Sequence, residues 1–378
     1  MSTQSVAGGP AAPVDVSQAR AEVVGSLLRT PELTDARRRA ESGELTAPEF
    51  KAIEDRAVDE AIRLQEDSGI DVVTDGELRR WAFFGHLIDA LEGYDRVGGW
   101  AIPFRDETGE ELILQRPVVT GRLQWRRSMC GEEWTYLRAR ANHPGKVTLL
   151  SAQQAAAYYD PEKSAGAYPT RDAYLADVVD LTRREVDELV RLGCTYIQVD
   201  APQYAALLDP NLREGYRQRG SDPEELLDRC IELDNAIIGG HPGVTFGLHL
   251  CRGNNQSKFY ASGDYEPIAR IFEKTRFQRF LLEYDDDRSG GFEPLRHVPE
   301  DRVVVLGLVT TKKQRLETDE EIESRIREAA QYVPLERLAL SPQCGFASTE
   351  EGNRITLERQ LEKLQLVARV ARSVWGGS

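Results

Sequence analysis

Three observations predict a (β/α)8 barrel, the TIM-barrel class. Eight short apolar runs alternate with long amphipathic or polar stretches, the pattern of parallel strand–helix units. The runs close on polar residues, at the strand ends where such a barrel carries its active site. The chain of 378 residues is long enough for one large barrel.

The elements follow in order. Residues 1–18 (MSTQSVAGGPAAPVDVSQ) lack a basic start and a continuous apolar core. They read as a flexible tail rather than a signal peptide, with the barrel over 19–378. Val23-Val24-Gly25-Ser26 is the first strand. Residues 48–68 form a helix, because Phe50, Ile53, Ala57, Ala61 and Leu64 recur at three- or four-residue spacing. Asp71-Val72-Val73-Thr74 is the second strand and ends at Asp75-Gly76-Glu77.

Residues 97–146 interrupt the alternation. They are rich in Gly, Arg and Trp, with short runs such as Val118-Val119-Thr120 and Leu123-Gln124-Trp125. They predict a β-hairpin insertion between the second and third strands, suited to covering the site or to contacts in a homo-oligomer. Residues 147–150 are the third strand. A helix over 172–191 follows, closed by Gly193. Tyr196-Ile197-Gln198-Val199 is the fourth strand and ends at Asp200. The fifth to seventh strands are 244–250, 280–282 and 303–309. A helix over 320–332, the eighth strand over 338–340 and a closing helix over 354–375 complete the set.

The balance of 40% hydrophobic and 29% charged residues is that of a globular chain. A net charge of −15 argues against nucleic acid or an anionic membrane as partner. No apolar run is long enough to span a bilayer. The 5 cysteines are scattered and odd in number, which speaks against a disulfide framework and for a reducing cytoplasm.

The most informative residues are His249, Cys251 and Cys344. Positions i and i+2 of a strand share one face, so His249 and Cys251 point the same way. Cys344 follows another apolar run, Leu338-Ala339-Leu340. An imidazole and two thiols at strand ends fit a zinc ion, Zn2+, with an open fourth position. Glu283, after Phe280-Leu281-Leu282, offers an oxygen ligand or a base beside the metal. Such a site would loosen the carboxylate when a substrate thiol binds. The thiol would lose its proton yet stay nucleophilic, because thiolate ligands donate charge to the metal. The plainer reading makes Cys251 and Cys344 small core residues and pairs Glu283 with Arg288. Cys130, Cys194 and Cys230 are expected to be inert. Glu77 and Asp200 follow apolar strands, where a carboxylate needs a partner. A ligand ammonium would serve, and so would Arg79 and Arg80. No phosphate-binding or dinucleotide fingerprint is present.

Taken together, six segments resemble the C-terminal catalytic barrel of cobalamin-independent methionine synthase and its short single-barrel relatives. They are Val24-Gly25-Ser26, Val73-Thr74-Asp75-Gly76-Glu77, Ile197-Gln198-Val199-Asp200, His249-Leu250-Cys251, Leu282-Glu283-Tyr284 and Pro342-Gln343-Cys344-Gly345. The resemblance runs from Ala21 to Trp375. It implies that His249, Cys251, Glu283 and Cys344 hold zinc, with Cys251, Glu283 and Cys344 taking part in catalysis. It implies that Ser26, Glu77 and Asp200 hold the amino-acid part of homocysteine, the two acids facing its ammonium. The implied reaction is alkyl transfer to an activated thiol.

Three departures bear on the donor. The family's Asp-Glu-Pro-Ala is here Asp200-Ala201-Pro202-Gln203. The folate-stacking Trp is replaced by Ser151-Ala152-Gln153-Gln154, and the His after the seventh strand by Thr310-Thr311. The expectation is therefore a zinc-dependent thiol S-alkyltransferase, methylating homocysteine to methionine. Its methyl donor is a corrinoid protein or another small methyl compound rather than a folate. One alternative is an epoxyalkane:coenzyme M transferase-like activity, with Arg79, Arg80 or Arg252 meeting the sulfonate. An alternative of another class is a non-catalytic, zinc-stabilised binding protein.

Overall fold

The computed structural model describes residues 15–376. Its centre is a ring of parallel staves. The first two staves are short and appear as isolated parallel bridges, Ala21 with Leu340, Glu22 with Val72, and Val73 with Gly145. Between the second stave and the third, in chain order, an inserted segment carries β1 (Leu91–Asp95), β2 (Ala101–Arg105), β3 (Glu111–Gln115) and β4 (Val118–Trp125). The remaining six staves are β5 (Val147–Leu150), β6 (Tyr196–Asp200), β7 (Thr245–Leu250), β8 (Arg279–Glu283), β9 (Val303–Val309) and β10 (Leu338–Pro342). These six pair in the order β10-β9-β8-β7-β6-β5, all parallel. Glu22 N–H donates to Leu340 O at 3.1 Å and Lys146 N–H to Val73 O at 3.0 Å, so the two bridged staves close the ring.

The expected first strand over 23–26 lies two residues too late. Pairing is confined to Ala21 and Glu22, because beyond them the chain peels away to bond loop backbones. Leu27 N–H reaches Gly76 O at 2.9 Å and Ser26 O accepts Phe346 N–H at 2.8 Å. Near-continuous burial along β5 to β10 explains why their sequences read as unbroken apolar runs.

Several of the helices begin where a threonine caps them. Thr46 and Glu49 form a capping box for Ala47–Ser68, and Thr318 and Glu321 form one for Asp319–Ala329. Thr170 caps Arg171–Arg191 and Thr356 caps Leu357–Trp375. Apolar periodicity locates these helices, and the capping hydroxyl sets their first residue. Of the expected tail, residues 1–14 lie outside the described residues. Val16–Gln18 forms a 3-10 turn capped by Asp15, and Val16 O accepts Arg279 Nη1 at 3.1 Å.

The inserted segment is two nested antiparallel ribbons, β1 with β4 and β2 with β3. It starts at Leu91, ahead of the expected position 97, and a helix over Gly131–Arg138 leads on to β5. The inner ribbon is stitched to the loop after β7: Arg105 N–H donates to Phe259 O at 2.7 Å and Phe259 N–H to Arg105 O at 2.9 Å. Its turn is pinned by Lys258 to Asp106 at 2.7 Å and by Arg354 to Glu110 at 2.9 Å.

Period-two alternation sorts the barrel interior into layers. Glu22, Lys146, Tyr196 and Arg279 form a buried polar floor. Val24, Leu281, Val305 and Ala339 pack as an apolar layer. One step on along the same faces come Ser26 and Glu283, at the carboxyl ends of the staves.

Candidate functional site

His249 and Cys251 are brought to Cys344 from separate staves. One ligand atom from each lies within 4.8 Å of the others, and all three residues are buried. The ring of His249 has a fixed direction. Its Nδ1 lies 3.1 Å from the Leu281 carbonyl, which can only accept, so Nδ1 carries the proton and Nε2 is left with its lone pair. That Nε2 is buried and has no hydrogen-bond partner among the described residues. The adjacent Cys344 thiol, working with His249 against the cost of burial, holds the Cys251 thiol well below its usual range. An unpartnered imidazole nitrogen beside two sulfurs is a donor set for a borderline-soft metal ion. The residues present therefore fit a metal.

Glu283 lies outside that group of three. Its Oε2 accepts Arg252 N–H at 2.5 Å, while Oε1 accepts Arg288 Nη2 at 3.0 Å and Lys312 Nζ at 3.2 Å. Burial would raise its carboxyl, but Lys312, Arg288 and Arg252 together hold it below the usual range. The Glu283–Arg288 pair anticipated in the plainer reading is thus present, and Lys312 joins it. The sequence does not reveal that partner, because Lys312 follows a different stave.

Glu77 stands on a strained turn. Its φ is 53°, in the left-handed region that costs a non-glycine residue about 1 kcal/mol. The Asp75 carboxylate holds the turn by accepting Glu77 N–H at 2.8 Å. Thr148 Oγ1 donates to Glu77 Oε1 at 2.8 Å, since that hydroxyl oxygen is already accepting from Arg80 at 2.9 Å. Glu77 Oε2 is buried and unpartnered among the described residues. A Cβ on Gly25 would strike Glu77 Oε1, so only glycine lets the carboxylate sit there. Asp200 accepts Gln198 Nε2 at 2.7 Å. Burial, reinforced by the charge of Glu77, pushes its carboxyl up to about 7. Ser26 Oγ accepts Ala347 N–H at 3.3 Å.

Ser26, Glu77, Asp200, His249, Cys251 and Cys344 all line one pocket of about 80 Å³. Its wall is mostly apolar, and Ile102, Phe104, Leu114 and Arg116 of the inserted segment contribute to it. The arginines considered for Glu77 and for a sulfonate are engaged elsewhere. Arg79 pairs with Glu54 at 2.8 Å and Asp55 at 2.7 Å, and Arg80 with Glu133 at 2.6 Å. Arg80 approaches Glu77 only to 3.8 Å. Arg252 bonds the Gly263, Glu283 and Ser289 carbonyls. Cys130, Cys194 and Cys230 are buried and outside the cluster.

Sequence reasoning missed Arg29, which binds the Leu27, Glu77, Arg80 and Ala347 carbonyls and so ties three rim loops together. It also missed His86, whose Nε2 accepts Leu150 N–H at 3.1 Å. No local pattern marks either residue, because their partners are distant backbone groups.

Residues 20–370 match a family described as the catalytic domain of cobalamin-independent synthase. The chain is 36% identical over 361 residues to the uncharacterised YxjH protein of Bacillus subtilis (strain 168), covering 94% of each chain. It is 24% identical to a methionine synthase of Pyrococcus abyssi, covering 93% of each. Among solved structures, a putative vitamin-B12 independent methionine synthase from Listeria monocytogenes superposes with a TM-score of 0.71 at 28% identity. That match covers 96% of this chain and 100% of the other.

Proposed function

The chain belongs to the cobalamin-independent synthase catalytic-domain family, and from that premise we propose that it is a zinc-dependent thiol S-alkyltransferase. Methyl transfer to homocysteine, giving methionine, is its leading reaction. The observation that carries this reading is the unpartnered His249 Nε2 beside two thiols in the same pocket as an unpartnered carboxylate oxygen of Glu77.

His249, Cys251 and Cys344 would hold the zinc, and Glu283 would complete the set as an exchangeable oxygen ligand. When bound there, zinc supplies a Lewis acid that lowers the pKa of an incoming thiol, while thiolate ligands keep that sulfur nucleophilic. Arg288 and Lys312 flank Glu283 and hold its carboxylate in place. Glu77 Oε2 and Asp200 accept the amino-acid ammonium, and Ser26 lines the same end. The Leu281 carbonyl keeps the His249 lone pair aimed inward, and Thr148 keeps Glu77 from rotating. The ribbon side chains Ile102, Phe104 and Leu114 keep water from the reacting atoms.

The donor is read as a corrinoid protein or a small methyl compound, since Ser151 is spent on Asp234 and Thr311 on Gln343 at 2.9 Å. Arg79, Arg80 and Arg252, the arginines considered for the sulfonate of coenzyme M, are all engaged away from the pocket.

Calorimetric titration of the zinc-loaded protein tests the reading. Homocysteine should bind only with zinc present, and Glu77→Gln should weaken it about 10–100-fold, the cost of losing a charged hydrogen bond. Zinc-independent binding, or an unchanged affinity in Glu77→Gln, would count against the assignment.

A further inference from the structure

Arg116 joins β3 to β4 in the inserted segment and lines the same pocket as His249, Cys251 and Cys344. Among the described lining residues it is the one Arg or Lys. Its guanidinium makes no ion pair and no side-chain hydrogen bond to any described residue, and its Nε is sealed from solvent with no partner. Arg79, Arg80, Arg252 and Arg288 are, in contrast, all held by carboxylates or carbonyls. A guanidinium remains charged when buried, so a half-buried one without an acid is a standing cost until an anion arrives. Burial depresses its proton affinity. The Tyr158 hydroxyl is a second lining group that is fully buried and unpartnered.

Tyr260 relates this corner to the metal cluster. It lines the pocket together with Cys251 and Arg116, and its ring packs edge-on against Phe104 with centroids 5.6 Å apart. The corner is therefore a cation and a phenol donor set beside the apolar side chains Ile102, Phe104 and Leu114.

We propose that Arg116, assisted by Tyr158, binds an anionic group of the second reactant, the alkyl donor. The anion is a carboxylate, sulfonate or phosphate, and the apolar body behind it lies against Ile102, Phe104 and Leu114. This assignment rests on the reading above that Ser26, Glu77 and Asp200 take the amino-acid half of the thiol, which leaves Arg116 to the other reactant. Arg116 forms a charge-assisted, directional contact of the kind arginine makes with planar or tetrahedral oxyanions.

The test uses hexanoate and its neutral isostere hexanamide as probes of zinc-loaded, full-length protein by calorimetry. Hexanoate should bind about 10-fold or more tightly than hexanamide. Arg116→Gln should abolish that preference, Arg116→Lys should retain part of it, and Tyr158→Phe should reduce it several-fold. Homocysteine affinity should be unchanged in Arg116→Gln. Equal binding of hexanoate and hexanamide to the unaltered protein overturns the proposal without any variant. A hexanoate preference that survives Arg116→Gln overturns it too, because the anion then sits elsewhere, the metal included. If homocysteine or coenzyme M loses affinity in Arg116→Gln together with hexanoate, Arg116 serves the thiol substrate and the proposal falls. If homocysteine fails to bind the unaltered protein while the hexanoate preference depends on Arg116, the thiol assignment fails and the anion subsite stands.

Discussion

At the amino-terminal end of the staves, Glu22 gives both carboxylate oxygens to buried partners. Oε2 accepts Lys146 at 2.6 Å and Tyr196 at 2.9 Å, and Oε1 accepts Arg279 at 2.7 Å. At the carboxyl end, Glu77 has one oxygen on Thr148 and the other on nothing among the described residues, and His249 Nε2 is likewise unpaired. Both regions bury charge inside the same barrel. The floor is internally complete, so its charges hold the staves together. The rim is incomplete, and an unpaired buried polar atom is costly to keep, which is why we propose a metal and a substrate as the missing partners there.

The largest expected effect breaks the rim alone. Cys251→Ser or Cys344→Ser should remove bound metal and abolish activity together. Cys194→Ser should leave both intact, since Cys194 lies outside the cluster and its Sγ hydrogen-bonds to Tyr196 O at 3.3 Å. Metal analysis and alkyl-transfer assays read the outcome. Equal damage from all three would mean that each acts through folding.

The next effect breaks the floor alone. Lys146→Met strands half of the Glu22 charge and should cost about 3–5 kcal/mol in denaturant unfolding, with metal content unchanged. Metal loss without loss of stability would reverse the contrast between the two ends.

Acid sharpens the same contrast. Burial would raise the Glu22 carboxyl, but Lys146 and Arg279 overcome it and bring it from 4.5 down to about 2. The unfolded chain therefore takes up this proton first as pH falls. The stabilisation is complete above 4.5 and is lost as pH drops from there to about 2. It amounts to on the order of 3 kcal/mol. Unfolding curves across that window should be steeper in pH for the unaltered chain than for Glu22→Gln. Parallel curves would mean that the floor network contributes nothing to acid stability.

Much of this was legible because it follows from periodicities of the backbone. Alternation along a strand is enough to place His249 and Cys251 on one face, and closure of the parallel ring brings Cys344 to them. Burial on both faces made β9, with Val303-Val304-Val305 and Leu308, readable as an apolar run. What stayed hidden depends on partners far apart in the chain. Of the partners of Glu283 only Arg288 could be anticipated, because Lys312 and Arg252 are brought to it only by the fold. The pairing of Ala21 rather than Val23 is set by bonds from Leu27 and Ser26 to other loops. Arg116 carried no signal at all, since a surface-type residue in an irregular insertion becomes a pocket cation only when the ribbon folds over the rim.

We propose above all that His249, Cys251 and Cys344 form a thiol-activating zinc site. Zinc-edge X-ray absorption of the loaded protein, before and after adding homocysteine, tests it most directly. The expected result is a shell of one nitrogen, two sulfurs and a light oxygen donor, in which a third sulfur at about 2.3 Å replaces the oxygen once the thiol is present. A shell that keeps the same four protein ligands with and without thiol would make the metal a structural brace and contradict the account.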